Sequence, residues 1–125
     1  MKILVIGCGS IGERHIKNLK SLSIDTIIAY DINSDRLQVI KEKYSLDVFD
    51  NIDVAFDQHP DVVIVSTPPT SHIPIAMKAV DKGAHIFIEK PLSHTLDNVD
   101  NFLKKAKKKP RKAKKRMKPK FTMKE

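Results

Sequence analysis

The stretch that decides the fold is K-I-L-V-I-G-C-G-S-I-G, residues 2–12, where a short apolar run leads directly into three spaced glycines. The run predicts a buried strand, and apolar residues recurring about every 3.6 positions predict a helix over residues 11–22. In this context Gly7 permits a tight turn, Gly9 lets the backbone approach a ligand, and Gly12 lets the helix pack closely on the strand. The stretch therefore predicts a phosphate-binding loop.

Residues around this loop favour a dinucleotide ligand. The amides of Ser10 and Ile11, with the helix dipole, stabilise a phosphate by about 0.3–1 kcal/mol at an exposed site. Asp31 lies nineteen residues beyond Gly12, at the end of the second predicted strand, where its carboxylate can bind an adenosine ribose. The alternative is that Asp31 only starts a turn or caps the next helix. Its charge favours NAD, since a 2′-phosphate would be repelled, while nearby Arg36 keeps NADP open.

The rest of the chain alternates between strand and helix patterns. Four apolar runs predict buried strands, namely Ile3–Ile6, Thr26–Tyr30, Val62–Val65 and Ile86–Ile88, and Asp47–Phe49 predicts a weaker one. Helices are expected after an N-cap at Asn33 or Ser34, over Ile52–Phe56, over Ile75–Val80 between Pro74 and Gly83, and after Thr95. Strands without polar alternation are typical of parallel sheets covered on both faces. The predicted fold class is α/β, with a doubly wound, mostly parallel sheet.

Charge is unevenly distributed along the chain. Of the 23 Lys and Arg residues, 13 lie in residues 101–125, where Glu125 is the only acidic residue. Two prolines and dense like charge disfavour regular structure near the end. We expect a single domain over residues 1–109 and a basic, disordered tail over residues 110–125.

Composition argues against several functional classes. The single cysteine, Cys8, excludes an intramolecular disulfide, and no stretch approaches the roughly 18 apolar residues of a membrane span. A cytoplasmic protein that does not contact a membrane is expected. The histidines lack metal-ligand spacing with each other or with Cys8, so we expect no metal site. Cys8 is interpreted as a small residue tolerated in the loop, the alternative being a thiol activated by the helix N-terminus.

Two further segments follow predicted strands, at the sheet edge where doubly wound folds bind ligands. The first is S-T-P-P-T-S-H, residues 66–72, whose paired prolines predict a stiff, nonhelical loop over the nicotinamide side of the cofactor. The second is E-K-P-L-S, residues 89–93. His72 is equally compatible with a helix start and with a cofactor neighbour. Lys90 alone would usually be a solvated surface lysine, but its place after a strand favours an active-site role.

These motifs together resemble the Gfo/Idh/MocA family of oxidoreductases over about residues 1–105. The resemblance consists of the glycine loop, Asp31, T-P-P-x-x-H at residues 67–72 and E-K-P at residues 89–91. It implies an NAD(P)-dependent dehydrogenase that acts on sugars, cyclitols or related polyols, with Lys90 in the active site. It also implies that Thr67, Pro68, His72 and Glu89 lie beside the cofactor.

Family members carry a second, larger domain that supplies a sheet and most substrate contacts, whereas this chain continues into the basic tract. The resemblance therefore implies the cofactor-binding half of a dehydrogenase, incomplete as a catalyst, either truncated or completed by another polypeptide. No nucleic-acid partner is expected on this hypothesis. The alternative is a dinucleotide-sensing module whose basic tail contacts nucleic acid or another acidic surface. Such binding would be electrostatic and salt-dependent, because the tail lacks interleaved aromatics apart from Phe121.

Overall fold

The computed structural model describes residues 1–24, 26–89, 99–108 and 121–124. The strands in this part of the chain are β1 (Lys2–Ile6), β2 (Thr26–Tyr30), β3 (Asp47–Phe49), β4 (Val62–Val65), β5 (His85–Glu89) and β6 (Phe121–Lys124). The helices are α1 (Ser10–Ser21), α2 (Ser34–Tyr44), α3 (Ile52–Phe56), α4 (His72–Asp81) and α5 (Val99–Lys108), with a 3₁₀ turn at Pro69–Ser71 before α4. This alternation confirms the predicted α/β class.

The strands of the described residues form one sheet in the order β3-β2-β1-β4-β5-β6, and every neighbouring pair is parallel. Ile3 of β1 lies opposite Ile27 of β2 on one side and opposite Val62 of β4 on the other. Strands β2 and β3 therefore lie on one side of β1, and the later strands, from β4 onward, lie on its other side. This arrangement confirms the doubly wound prediction. Loops diverge at such a switch point and leave a crevice beyond the carboxyl ends of the strands.

The two faces of the sheet carry separate apolar cores. Ile3 and Val5 of β1 pack with residues of α1 and α2, including Ile16 and Ile40, on one face. Leu4 and its neighbours of the same parity pack with α3 and α4 on the other face. Because successive side chains of a strand point to opposite faces, a fully apolar run is needed where both faces are covered. This explains the absence of polar alternation in the central strands.

Two helix starts differ from the sequence prediction. Helix α1 begins at Ser10, one residue earlier than expected, and α4 begins at His72 instead of near Ile75. Pro74 therefore lies inside the first turn of α4, where a missing N–H costs nothing because those amides have no partner within the helix. At the other end, Gly83 has a φ of 75° and its N–H donates to the carbonyl of Val80 at 3.0 Å, as expected of a helix-ending glycine.

The end of the chain returns to the sheet. Strand β6 pairs with β5, so that Phe121 lies opposite Ile86 and Lys124 opposite Glu89. The expectation of disorder over residues 110–125 does not hold for these four residues, because the edge of β5 offers unpaired backbone groups whatever the nearby composition. Residues 109–120 and Thr95 lie outside the described residues, and the boundary at residue 109 stays a prediction.

Candidate functional site

The loop between β1 and α1 requires glycine for distinct steric reasons. Gly7 has a φ of 93°, and a Cβ on it would lie 2.8 Å from backbone atoms of Ser66 and Thr67. A Cβ on Gly12 would lie 1.7 Å from the carbonyl oxygen of Gly7. Gly9 differs, because a Cβ there would meet no described atom within 4 Å. Gly7 and Gly12 therefore shape the loop, while Gly9 leaves open space above it.

The first turn of α1 opens onto this space. Among the described residues, no side chain caps the helix after its N-cap Gly9, whereas the side chains of Asn33 and Asn51 cap α2 and α3. The side chains of Ser10 and Ile11 are exposed. The amides of this turn can therefore donate hydrogen bonds to an anion, which the positive end of the helix dipole also stabilises.

Asp31 and Arg36 hold the peptide groups of the glycine loop from the β2 side. The amide of Cys8 donates to Oδ2 of Asp31 at 2.7 Å, and Nε of Arg36 donates to the carbonyl oxygen of Cys8. Oδ1 of Asp31 also accepts from the amide of Asn33 at 2.8 Å. Asp31 therefore does start a turn, as the alternative held. A carboxylate oxygen can accept more than one hydrogen bond, so these contacts leave capacity for a ligand hydroxyl.

Glu13 links α1 to α2 through a polar cluster. Its Oε1 accepts from Arg36, and its Oε2 accepts from Nζ of Lys43 and from the hydroxyl of Tyr44, both at 2.7 Å. Hydrogen bonds from Lys43, Tyr44 and Arg36 lower the pKa of Glu13 to about 2, so the carboxylate is charged at neutral pH. Sequence reasoning missed this cluster, because its partners lie 23 to 31 residues away and no local spacing connects them.

A cavity of about 390 Å³ lies between the loops that follow β1, β2 and β4. It is lined by Gly7, Gly9, Tyr30, Asp31, Ile32, Ile52, Ser66, Thr67, Pro68, Ser71 and Ile75. Of the predicted cofactor-binding residues, Gly7, Gly9, Asp31, Thr67 and Pro68 are in this lining, whereas Ser10, Ile11, Gly12, His72 and Glu89 are not. Lys90, the predicted catalytic residue, lies outside the described residues.

Ser66 contributes a polar atom that sequence reasoning did not single out. Its Oγ is buried and has no hydrogen-bond partner in the part of the chain that the structure describes. The residue follows β4 directly and lines the cavity. A buried hydroxyl without a partner is destabilising, so this atom is suited to a ligand oxygen in the cavity. Its place directly after a strand was the available sequence signal.

The start of α4 fixes the far wall of the cavity. His72 is 1% exposed, and its Nε2 lies 2.6 Å from the carbonyl oxygen of Thr67. Because a carbonyl oxygen can only accept, Nε2 is the donor in this hydrogen bond. The hydroxyl of Ser71 donates to Oγ1 of Thr67 at 2.7 Å. His72 thus supports the cavity wall from the helix start, and its predicted cofactor contact stays a prediction. The prediction of a nonhelical loop over residues 66–72 is partly wrong, because Pro69–Ser71 form a 3₁₀ turn, which a proline can begin.

Glu89 ties the carboxyl end of β5 to α1. Its Oε1 pairs with Nε2 of His15, and the ring of His15 meets the ring of Phe87 edge-on at 5.6 Å between centroids. The pair places Glu89 against the helix that begins at the glycine loop, directly before the position of Lys90 in the chain.

The thiol of Cys8 is buried under the loop. Burial and the nearby charge of Asp31 raise its pKa to about 12, with Arg36 acting weakly in the opposite direction. The thiol is therefore protonated at neutral pH. This finding contradicts the alternative of a thiol activated by the helix N-terminus, and favours a small residue that fills the core.

A family model described as an oxidoreductase family with an NAD-binding Rossmann fold matches residues 1–115. The chain belongs to this family. The Gfo/Idh/MocA resemblance seen in the motifs is thereby confirmed, and the match extends past the expected boundary at residue 109.

Relatives of this Gfo/Idh/MocA domain are longer proteins. A myo-inositol 2-dehydrogenase of Thermotoga maritima is 36% identical over 113 residues, which are 86% of this chain and 33% of the relative. A glucose-6-phosphate 3-dehydrogenase of Bacillus subtilis is 29% identical over 77% of this chain and 27% of its own length. The solved structure of a myo-inositol 2-dehydrogenase from Lactobacillus plantarum superposes with a TM-score of 0.80 at 25% identity, covering 87% and 33% of the two chains. The chain thus spans about a third of the length of these proteins.

Two kinds of feature are absent from the described residues. No helix there is long and apolar enough to cross a membrane. No group of three or more His, Cys, Asp and Glu residues in the same part of the chain could hold a metal ion.

Proposed function

We propose that the chain binds NAD in the cavity beyond β1, β2 and β4, as the cofactor-binding part of a dehydrogenase. The observation that carries the proposal is the grouping of an uncapped helix N-terminus, the open space over Gly9 and the carboxylate of Asp31 around one cavity. The pyrophosphate would meet the amides of Ser10 and Ile11, and the adenosine ribose would donate hydrogen bonds to Asp31.

The residues present fit a dinucleotide. Gly9 presents bare backbone that any Cβ would cover, which suits the close approach of a phosphate. The buried hydroxyl of Ser66 can donate to a ligand oxygen, and Thr67 and Pro68 would border the nicotinamide side. The charge of Asp31 disfavours a ligand with a 2′-phosphate, which supports NAD over NADP.

Bound NAD would supply a hydride acceptor for the oxidation of a CH–OH group. The hydroxyl proton needs its own acceptor, and we propose the amine of Lys90 for this step, which typically contributes about 10²–10⁴ in rate. Glu89 and its partner His15 would position Lys90 by anchoring the end of β5. The names of the relatives support a sugar or cyclitol as substrate, and a second domain, on this or another chain, would complete the catalyst.

The test is calorimetric titration of the 125-residue chain with NADH and with NADPH. NADH should bind more tightly, and Asp31→Ala should weaken it about tenfold or more, since hydrogen bonds to a charged group contribute about 1.5–3 kcal/mol. Asp35→Ala is the matched control, because it removes the same charge from an exposed position on α2. Asp31 also holds the amide of Cys8, so the melting temperature of each variant must accompany its affinity. Failure of the wild-type chain to bind either nucleotide contradicts the proposal.

The sensing module with a basic tail stays a prediction, because most of that tail lies outside the described residues. A cytoplasmic location likewise stays a prediction. A chain ended at residue 109 tests the proposed domain boundary, and its expected affinity for NADH is that of the full chain.

A further inference from the structure

We infer that Glu13 is a specificity-determining residue, which excludes NADP by holding Arg36 away from the ribose end of the cavity. The inference rests on the proposed function, since it concerns which dinucleotide the same site accepts. It assigns a role in ligand selection to a residue that does not line the cavity.

Arg36 and Asp31 both contact the backbone of Cys8. The two side chains bind opposite ends of one residue, Asp31 at the amide of Cys8 and Arg36 at its carbonyl. Arg36 lies in the first turn of α2, close to the end of β2. Between them Ile32 is 89% exposed and lines the cavity, so the space beside Asp31 is open to solvent. Arg36 is therefore the guanidinium nearest in the chain to the expected place of a 2′-phosphate.

The guanidinium of Arg36 already binds two acceptors. Its Nε donates to the carbonyl of Cys8, and its other nitrogen pairs with Glu13. The side chains of Arg36 and Glu13 are 30% and 19% exposed, so the pair is partly shielded from water. A guanidinium held by two acceptors loses both contacts if it swings toward a phosphate.

The carboxylate of Glu13 has two further donors besides Arg36. Lys43 and the hydroxyl of Tyr44 bind its second oxygen, so the carboxylate is held in place and stays ionised. Arg36 is therefore paired with a fully ionised carboxylate. With that charge removed, only neutral acceptors would retain the guanidinium, and a phosphate dianion would be the stronger partner.

The test compares NADPH and NADH affinities of the full chain and of Glu13→Gln by calorimetry. Glutamine keeps the size and an acceptor oxygen but loses the charge. The affinity for NADPH relative to NADH should rise about threefold to tenfold, as a released guanidinium pairs with the phosphate while Asp31 still opposes it. Glu42→Gln makes the same charge change on α2, where its carboxylate meets Gln38 instead of Arg36, and should leave the ratio unchanged.

Two further variants separate Arg36 from a general charge effect. Glu13→Gln combined with Arg36→Met should return the ratio to the wild-type value, whereas a gain that persists overturns the inference. Arg36→Met alone also removes the contact with the carbonyl of Cys8, so both affinities can fall, but the ratio of NADPH to NADH affinity should stay at the wild-type value. A lower ratio would show that Arg36 already reaches the phosphate, and would overturn the inference. NADH binding with an unaltered ratio in Glu13→Gln overturns this inference alone. Absence of NADH binding by the wild-type chain overturns the proposed function and this inference with it.

Discussion

Two groups of residues at and behind the cavity lining, which we call the floor and the rim, are held by different kinds of contact. The floor consists of Gly7, Gly12, Ser66 and Thr67, whose backbones approach so closely that a Cβ on either glycine would clash. The rim consists of the peptide of Cys8 with the side chains of Asp31, Arg36 and Glu13, joined by hydrogen bonds.

Backbone atoms in close contact cannot move apart easily when an atom is added between them, whereas a polar contact at the surface can be replaced by hydrogen bonds to water. The floor should therefore determine whether the domain folds, and the rim should determine what it binds.

The largest effect is expected from breaking the floor with Gly12→Ala. Alanine in a helix gains about 1 kcal/mol over glycine, but the added Cβ would lie 1.7 Å from the carbonyl oxygen of Gly7. Overpacking typically costs about 1–3 kcal/mol and occasionally more, and a contact of 1.7 Å with a backbone atom is expected at the upper end, so the clash exceeds the gain. Urea unfolding should show a net loss of about 2 kcal/mol or more. A variant as stable as the wild type would contradict the close approach of α1 to the loop.

Gly9→Ala sharpens the comparison, because it adds the same methyl group above the floor. Its φ of −71° and ψ of −163° suit alanine, and the Cβ would meet no described atom, so stability should change by less than about 0.5 kcal/mol. The methyl group would occupy the approach to the helix N-terminus, and NADH affinity should fall about tenfold or more. Calorimetric titration beside urea unfolding measures both quantities. An unchanged affinity for NADH would show that the pyrophosphate does not bind over Gly9.

A smaller effect is expected at the contact between α1 and β5. His15→Ala removes the partner of Glu89 and the edge-on contact with Phe87, which should lower the free energy of unfolding by about 1–2 kcal/mol. NADH affinity should change less than in Gly9→Ala, since neither His15 nor Glu89 lines the cavity. Lys17→Ala, at an exposed position of the same helix, is the control. A loss of NADH affinity without a loss of stability would show that this pair belongs to the binding surface.

The glycines of the floor could be predicted from the sequence, whereas Ser66 was not singled out and the rim was predicted only in part. The spacing of Gly7, Gly9 and Gly12 after an apolar run specifies backbone geometry, which is local and recurs wherever a strand enters a helix through a phosphate loop. The place of Asp31 followed from the same local pattern.

The cluster at Glu13 depends on which residues of α2 face α1, and no local spacing encodes that angle between helices. Strand β6 was missed for a related reason, because its pairing depends on the free edge of β5 more than on its own residues.

The smallest effect is a pH dependence of the rim. The pKa of Glu13 is lowered from 4.5 to about 2 in the folded chain, so its contribution to stability is present above pH 4.5 and is lost as the pH falls toward 2. The melting temperature of the wild-type chain should therefore exceed that of Glu13→Gln at pH 7, and the difference should shrink between pH 4.5 and 2. Glu42→Gln should show a smaller difference that changes less with pH, since its partner is an uncharged amide. A difference between wild type and Glu13→Gln that stays constant down to pH 2 would show that it arises from the amide group of glutamine and not from the charge of Glu13, and would remove the electrostatic basis of the rim.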